Sequence, residues 1–154
     1  MDAVQIIQIA EDWERKAAFA IREAVFIDEQ RIDPLLEFDG LDDGADHLLA
    51  TEGGSAVGTL RLRPISDKAA KIERVAVLKE ARGRAVGAAL IDAALQHLRA
   101  RGFREVKLHA QTYALNFYAK HGFIVYGEDF DEDGIPHRTM RLDLTTEASS
   151  AAGS

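Results

Sequence analysis

Lys71-Ile72-Glu73-Arg74-Val75-Ala76-Val77-Leu78, followed after a short spacer by Arg82-Gly83-Arg84-Ala85-Val86-Gly87-Ala88-Ala89-Leu90, decides the fold class. The first stretch reads as a central strand, with Glu73, Val75 and Val77 on one face by the two-residue period. The second is a glycine turn that opens a helix with the apolar stripe Val86, Leu90, Ala93, Ala94 and Leu98, ended by Gly102 as a C-terminal cap. Small residues in such a turn let the backbone come close to a ligand. The free amides and positive dipole of the helix N-terminus suit a pyrophosphate, and Arg82 and Arg84 bring charge to the same place. The same turn could also serve only to pack a helix on a sheet.

Upstream, Ala3 to Ile9 alternates like a strand. Glu11 and Asp12 then put acids at the start of a helix whose apolar positions are Trp13, Ala17, Ala20, Ile21, Ala24 and Val25. From Arg31 to Asp46 the chain turns acidic and irregular, with Pro34, Gly40 and Gly44 as breakers, which predicts a long functional loop. His47 to Thr51 and Ala56 to Arg63 read as a hairpin hinged at Gly53-Gly54. Downstream, Val106, Leu108 and Ala110 mark a strand, Ala114 to Lys120 a short helix and Phe123 to Tyr126 another strand. In His137 to Leu144 the alternation turns Met140, Leu142 and Leu144 inward. The expected class is α/β (mixed α+β): a central mixed sheet of about six or seven strands flanked by helices on both faces. One domain over residues 1–144 is expected, with 145–154 as a disordered tail of small polar residues.

Length and composition agree with that class. A domain of 154 residues buries about 68–70% of its unfolded surface, and 47% apolar with 29% charged residues is ordinary for a globular chain. There are no cysteines, so disulfides, thiolate metal sites and a cysteine nucleophile are excluded. The 19 basic and 26 acidic residues give a formal charge of −7, which argues against nucleic acid as a partner. The opening Met1-Asp2-Ala3-Val4 has no basic n-region and the apolar runs are short, so a cytoplasmic protein without a membrane partner is expected. His47, His97, His109, His121 and His137 do not fall at ligand spacings, and no metal is expected.

Arg82 to Leu90 resembles the pyrophosphate-binding motif of GNAT acetyltransferases, with Arg82 and Gly87 in place and Ala85 where a first glycine is usual. Gln111-Thr112-Tyr113-Ala114-Leu115-Asn116-Phe117-Tyr118-Ala119-Lys120-His121-Gly122-Phe123 is similar to a second motif of that family; Ala114, Tyr118, Gly122 and Phe123 match and Gln111 stands where Asn is commoner. Arg22-Glu23-Ala24-Val25-Phe26-Ile27-Asp28-Glu29-Gln30, Glu37-Phe38-Asp39-Gly40-Leu41-Asp42, His47 and Glu132 to His137 resemble the bacterial ElaA-like branch. The resemblance covers residues 3 to 144.

It implies an acyltransferase that moves an acetyl group from acetyl-CoA to the primary amine of a small-molecule or peptide acceptor. Backbone of Val75, Ala76 and Val77 would meet the pantetheine arm, and Arg82, Gly83, Arg84, Ala85, Val86, Gly87 and Ala88 would hold the pyrophosphate. Gln111, Asn116 and Tyr118 would line the same cofactor. Tyr118 matches the phenol that protonates the leaving thiolate, although an aromatic there can also simply pack. Glu73 is the candidate general base, or else an ion-paired glutamate, with Arg74 as one partner. Phe26, Glu29, Gln30, Glu37, Asp39 and His137 are the substrate-binding candidates. The acids among them suit a cationic acceptor or form a solvated loop; His137 could move a proton or pack. A homodimer is expected from the resemblance alone. The rival readings are an acyl-homoserine-lactone-synthase-like acyltransferase, which shares the Arg22 to Phe26 and Glu37 to Asp42 pattern, and a non-catalytic CoA-binding module.

Overall fold

The computed structural model describes residues 3–145. Apart from Thr145, the expected tail lies outside the described residues. Seven strands form one mixed sheet in the order β1-β2-β3-β4-β5-β7-β6, and the chain groups into two units.

The first unit comprises Met1–Arg63 and Glu73–Ala94. In it β1 (Val4–Gln8) lies antiparallel to β2 (Asp46–Glu52), and β2 antiparallel to β3 (Ser55–Pro64). Helix α1 (Asp12–Arg22) starts at a reciprocal cap in which the Glu14 carboxylate takes the Glu11 amide at 2.9 Å and the Ala10 amide at 2.8 Å. It runs on into a wider π-helical segment, Glu23–Glu29. The buried side of this helix is Ala18, Ile21, Arg22, Val25 and Phe26. Trp13 and Ala20, expected on the apolar stripe, face solvent. The sequence period missed a buried arginine on that face, and the 3.6-residue spacing does not extend through a π-helical turn. The expected loop contains a one-turn helix, α2 (Pro34–Glu37), whose first turn is capped by Asp33 accepting the Leu35 amide at 2.8 Å.

Strand β4 (Ala69–Val77) runs into a 3-10 turn (Lys79–Ala81) and then α3 (Val86–Ala100). Its alternation is interrupted at Arg74, a non-glycine residue at φ +57°. Glu73, Val75 and Val77 are nevertheless all half-buried, while Ile72 and Ala76 are buried. Leu49, Ala50, Leu60, Leu90 and Ile91 are core residues of this unit. Gly58 on β3 is closely covered: a Cβ there would meet Leu90 and Val86 at 3.1 Å and the Ala76 carbonyl at 3.2 Å. The missing side chain is what lets the start of α3 lie so near the strand.

The second unit comprises Pro64–Ile72 and Leu95–Ser154. The first part of β4 pairs parallel with β5 (Glu105–Gln111), from Ala69↔Glu105 to Lys71↔Lys107. A helical crossover is what a parallel pair requires, and α3 supplies it. β7 (Ile135–Asp143) is antiparallel to β5 from Glu105↔Asp143 to Gln111↔His137, and antiparallel to β6 (Ile124–Glu132) at the sheet edge. β6 extends well past the expected Tyr126. Met140 and Leu144 are buried as expected, whereas Leu142 is half-buried. Between β5 and β6 lies α4 (Leu115–Ala119).

Candidate active site

In the first unit the turn before α3 is built by two left-handed residues, Gly83 at φ +82° and Ala85 at φ +65°. Ala85 adopts the conformation for which glycine is usual and carries its steric strain. The first intrahelical bond runs from the Ala89 amide to the Ala85 carbonyl at 3.0 Å, so the amides of Val86, Gly87 and Ala88 precede it at the positive end of the dipole. The Arg82 guanidinium donates through Nε to the Val77 carbonyl at 3.0 Å and through both terminal nitrogens to Glu29, at 3.0 and 2.6 Å. This pairing holds the Glu29 carboxyl below its ordinary range. Arg84 pairs with Glu52 at 2.8 Å.

Three acids of the largely exposed loop, Glu37, Asp39 and Asp42, meet arginines, and Glu37 and Asp42 are buried. Arg22 is buried beside the rings of Phe19 and Phe38, 5.1 and 4.9 Å away, and donates to Glu37 at 2.8 Å and Asp42 at 2.7 Å. Arg61 donates to Asp39 at 2.9 and 3.0 Å, to Asp42 at 3.1 Å and to Glu73 at 3.0 Å. Arg63 holds both oxygens of Glu73, each at 2.9 Å. The left-handed Arg74 reaches Glu37 at 3.1 Å, Asp39 at 3.2 Å and the Leu36 carbonyl at 3.1 Å. Burial pushes Glu37 above the usual carboxyl range, with its arginines pulling the other way. Asp39, with Arg61 as its strongest partner, is held well below that range. Burial lowers His47, whose Nε2 donates to the Asp42 carbonyl at 3.0 Å.

Of the substrate-binding candidates in this unit, Phe26 is core, Glu29 is engaged with Arg82, Gln30 is half-buried, and Glu37 and Asp39 belong to the ion network. Glu73 is ion-paired, with Arg61 and Arg63. Sequence reasoning quoted Arg22 only as part of a resemblance, without a role, and did not single out Arg61 or Arg63. The available signal was arginine at inward positions of an otherwise apolar helix face and of the strand Leu60-Arg61-Leu62-Arg63.

In the second unit the Gln111–Phe123 segment forms a 3-10 turn (Thr112–Ala114), α4 and a turn at Gly122 with φ +98°. Gln111 is half-buried at the end of β5, and Asn116 is exposed. Tyr118 on α4 packs edge-on against Phe117 at 4.9 Å and Phe123 at 6.1 Å. Burial, with a smaller push from Tyr113, drives the Tyr118 phenol far above its ordinary value. His137 is buried, stacks on Phe130 at 5.9 Å, and donates through Nδ1 to the Ile135 carbonyl at 2.7 Å. His109, also against Phe130, donates to Glu132 at 2.8 Å, and this bond lowers the Glu132 carboxyl.

Among the described residues no group of His, Asp or Glu is arranged to hold a metal, and no helix is long and apolar enough to cross a membrane.

Residues 20–144 match the model of the acetyltransferase (GNAT) domain. The uncharacterized N-acetyltransferase YjcF of Bacillus subtilis (strain 168) is 38% identical over 129 residues, which is 83% of this chain and 91% of that one. The crystal structure of Escherichia coli ElaA superposes with a TM-score of 0.80 at 30% identity, covering 93% of this chain and 100% of ElaA. An acyl-CoA N-acyltransferase from Pseudomonas aeruginosa superposes with a TM-score of 0.80 at 31% identity, over 91% of this chain and 99% of that one.

Proposed function

This chain belongs to the GNAT acetyltransferase family, and we propose that it moves an acetyl group from acetyl-CoA directly to the primary amine of a small-molecule or peptide acceptor. One observation carries the reading: the turn at Gly83 and Ala85 leaves the amides of Val86, Gly87 and Ala88 ahead of the first intrahelical bond, as an anion site for the donor's pyrophosphate. The Pseudomonas relative, an acyl-CoA N-acyltransferase, supports a CoA donor and a nitrogen acceptor. In this reading the backbone of Val75, Ala76 and Val77 meets the pantetheine arm, and Gln111 and Asn116 contact the same cofactor.

With no cysteine in the chain the transfer has no thioester intermediate on the enzyme. The amine nitrogen attacks the thioester carbonyl carbon, the carbon–sulfur bond breaks, and the thiolate takes the Tyr118 proton. The proton shed by the acceptor nitrogen returns to the phenolate through solvent. The phenol is protonated at neutral pH with or without burial, and burial makes it a weaker acid, so the donor role rests on its place in the motif. Glu73 is the sequence candidate for base, but its engagement by Arg61 and Arg63 favours a part in the charge network, with water accepting the ammonium proton. The reading places the enzyme in the cytoplasm with its CoA pool. It also includes a homodimer; the edge strand β6, where Ile124, Val125 and Tyr126 are exposed, is a surface that could pair.

A thermal shift with acetyl-CoA tests the donor assignment. A ligand that binds only the native state adds about 2.7 kcal/mol at a hundredfold excess over its dissociation constant. Gly87→Glu puts an anionic side chain into the pyrophosphate turn and should abolish the shift. An unchanged shift in that variant would remove the donor assignment.

A further inference from the structure

The arginines of the turn before α3 are already engaged by carboxylates of their own unit. Arg82 is anchored through Nε on the Val77 carbonyl and gives both terminal nitrogens to Glu29, the last residue of the π-helical segment. Arg84 gives a terminal nitrogen to Glu52, the last residue of β2. A carboxylate on a guanidinium fork uses the same paired donors that a phosphate would use. An anion arriving at this turn therefore meets arginines whose charge is neutralised from within.

We propose that Glu29, seconded by Glu52, competes with the donor's phosphates for Arg82 and Arg84, so that donor binding exchanges an internal carboxylate for an external phosphate. The proposal rests on the donor reading above. For the Arg82 guanidinium the exchange is close to even, one bidentate anion for another. For Glu29 it is unfavourable, because the carboxylate loses its partner and stays beside a new anion. Glu29 thus weakens donor binding and sets a threshold that a simple polyanion does not cross. A ligand crosses it only by adding contacts elsewhere, as CoA would through its pantetheine arm. The pair lies at the surface, with Arg82 and Glu29 side chains 44% and 36% exposed, so its removal leaves folding nearly untouched.

Titration calorimetry with CoA itself is the test, on wild type, Glu29→Gln, Arg82→Ala and the double variant. Glutamine keeps an acceptor and drops the charge. The expected result is CoA binding about three- to tenfold tighter in Glu29→Gln, because Arg82 no longer has to give up a carboxylate to take the phosphate. That gain should be absent in the Arg82→Ala background. Unchanged or weaker binding in Glu29→Gln, or a gain that persists without Arg82, overturns the exchange while wild-type binding keeps the donor reading intact. Failure of both wild type and Glu29→Gln to bind CoA removes the donor reading, and the exchange with it.

Discussion

The Arg61 guanidinium on β3 and the Glu73 carboxylate on β4 meet at 2.8 Å, with the Arg61 side chain 0% and Glu73 8% exposed. Removing one partner of such a pair leaves a buried charge uncompensated, at a cost of about 3 kcal/mol where other partners remain. Arg61 keeps Asp39 and Asp42. Glu73→Gln is therefore expected to lower unfolding stability by about that amount. Per folded molecule, its activity should stay within a small factor of wild type. Denaturant unfolding and turnover on the same samples check this; intact stability with activity lost by orders of magnitude would return Glu73 to the role of base.

Ala85 sits at φ +65°, a conformation that disfavours any side chain. Ala85→Gly should relieve it and raise stability by about 1 kcal/mol, less whatever glycine adds to unfolded-state entropy. A denaturant midpoint that moves down instead would mean that the alanine methyl is packed rather than strained.

His47 is buried, with its pKa lowered from 6.5 chiefly by burial; the nearby Asp42 carboxylate opposes the shift, and Arg22 and Arg15 add to it. The unfolded chain takes a proton there before the folded one does. Stability is thus fully present above pH 6.5 and is lost as pH falls below it. His47→Gln keeps a nitrogen donor for the Asp42 carbonyl and cannot titrate. Its melting temperature should fall less steeply than wild type between neutral pH and the onset of carboxyl titration. Parallel slopes would remove His47 from the pH response.

The strand-turn-helix at Lys71 to Ala100 was legible because each element carries its own local signal: apolar alternation, a glycine turn, a helical stripe. The acidic stretch Arg31 to Asp46 was not. Read alone, Glu37, Asp39 and Asp42 look like a solvated or cation-binding loop, because the arginines that claim them come from α1, β3 and β4, far away in sequence. Local charge density cannot report a long-range partner. The same limit hid the exposure of Trp13, since a buried arginine in helical register reads as a polar break in the stripe. Tyr118 was located by its motif, but the packing with Phe117 and Phe123 around its ring is not revealed by spacing alone.

Tyr118→Phe keeps the ring and its contacts with Phe117 and Phe123 and deletes only the hydroxyl. Turnover should fall by roughly 10²- to 10⁴-fold, the range of a positioned acid, while affinity for acetyl-CoA and unfolding stability barely move. A parallel loss of stability and activity would make Tyr118 a packing residue, and wild-type turnover would give the proton to another group.

The most direct test of the central claim is incubation of the purified protein with acetyl-CoA and a broad panel of primary amines, reading free thiol and acetylated product together. The account predicts thiol release that depends on one class of amine, matched mole for mole by an N-acetyl product, and lost in Gly87→Glu. Tight CoA binding with no amine-dependent thiol release across the panel would contradict it and leave a CoA-binding module without transferase activity.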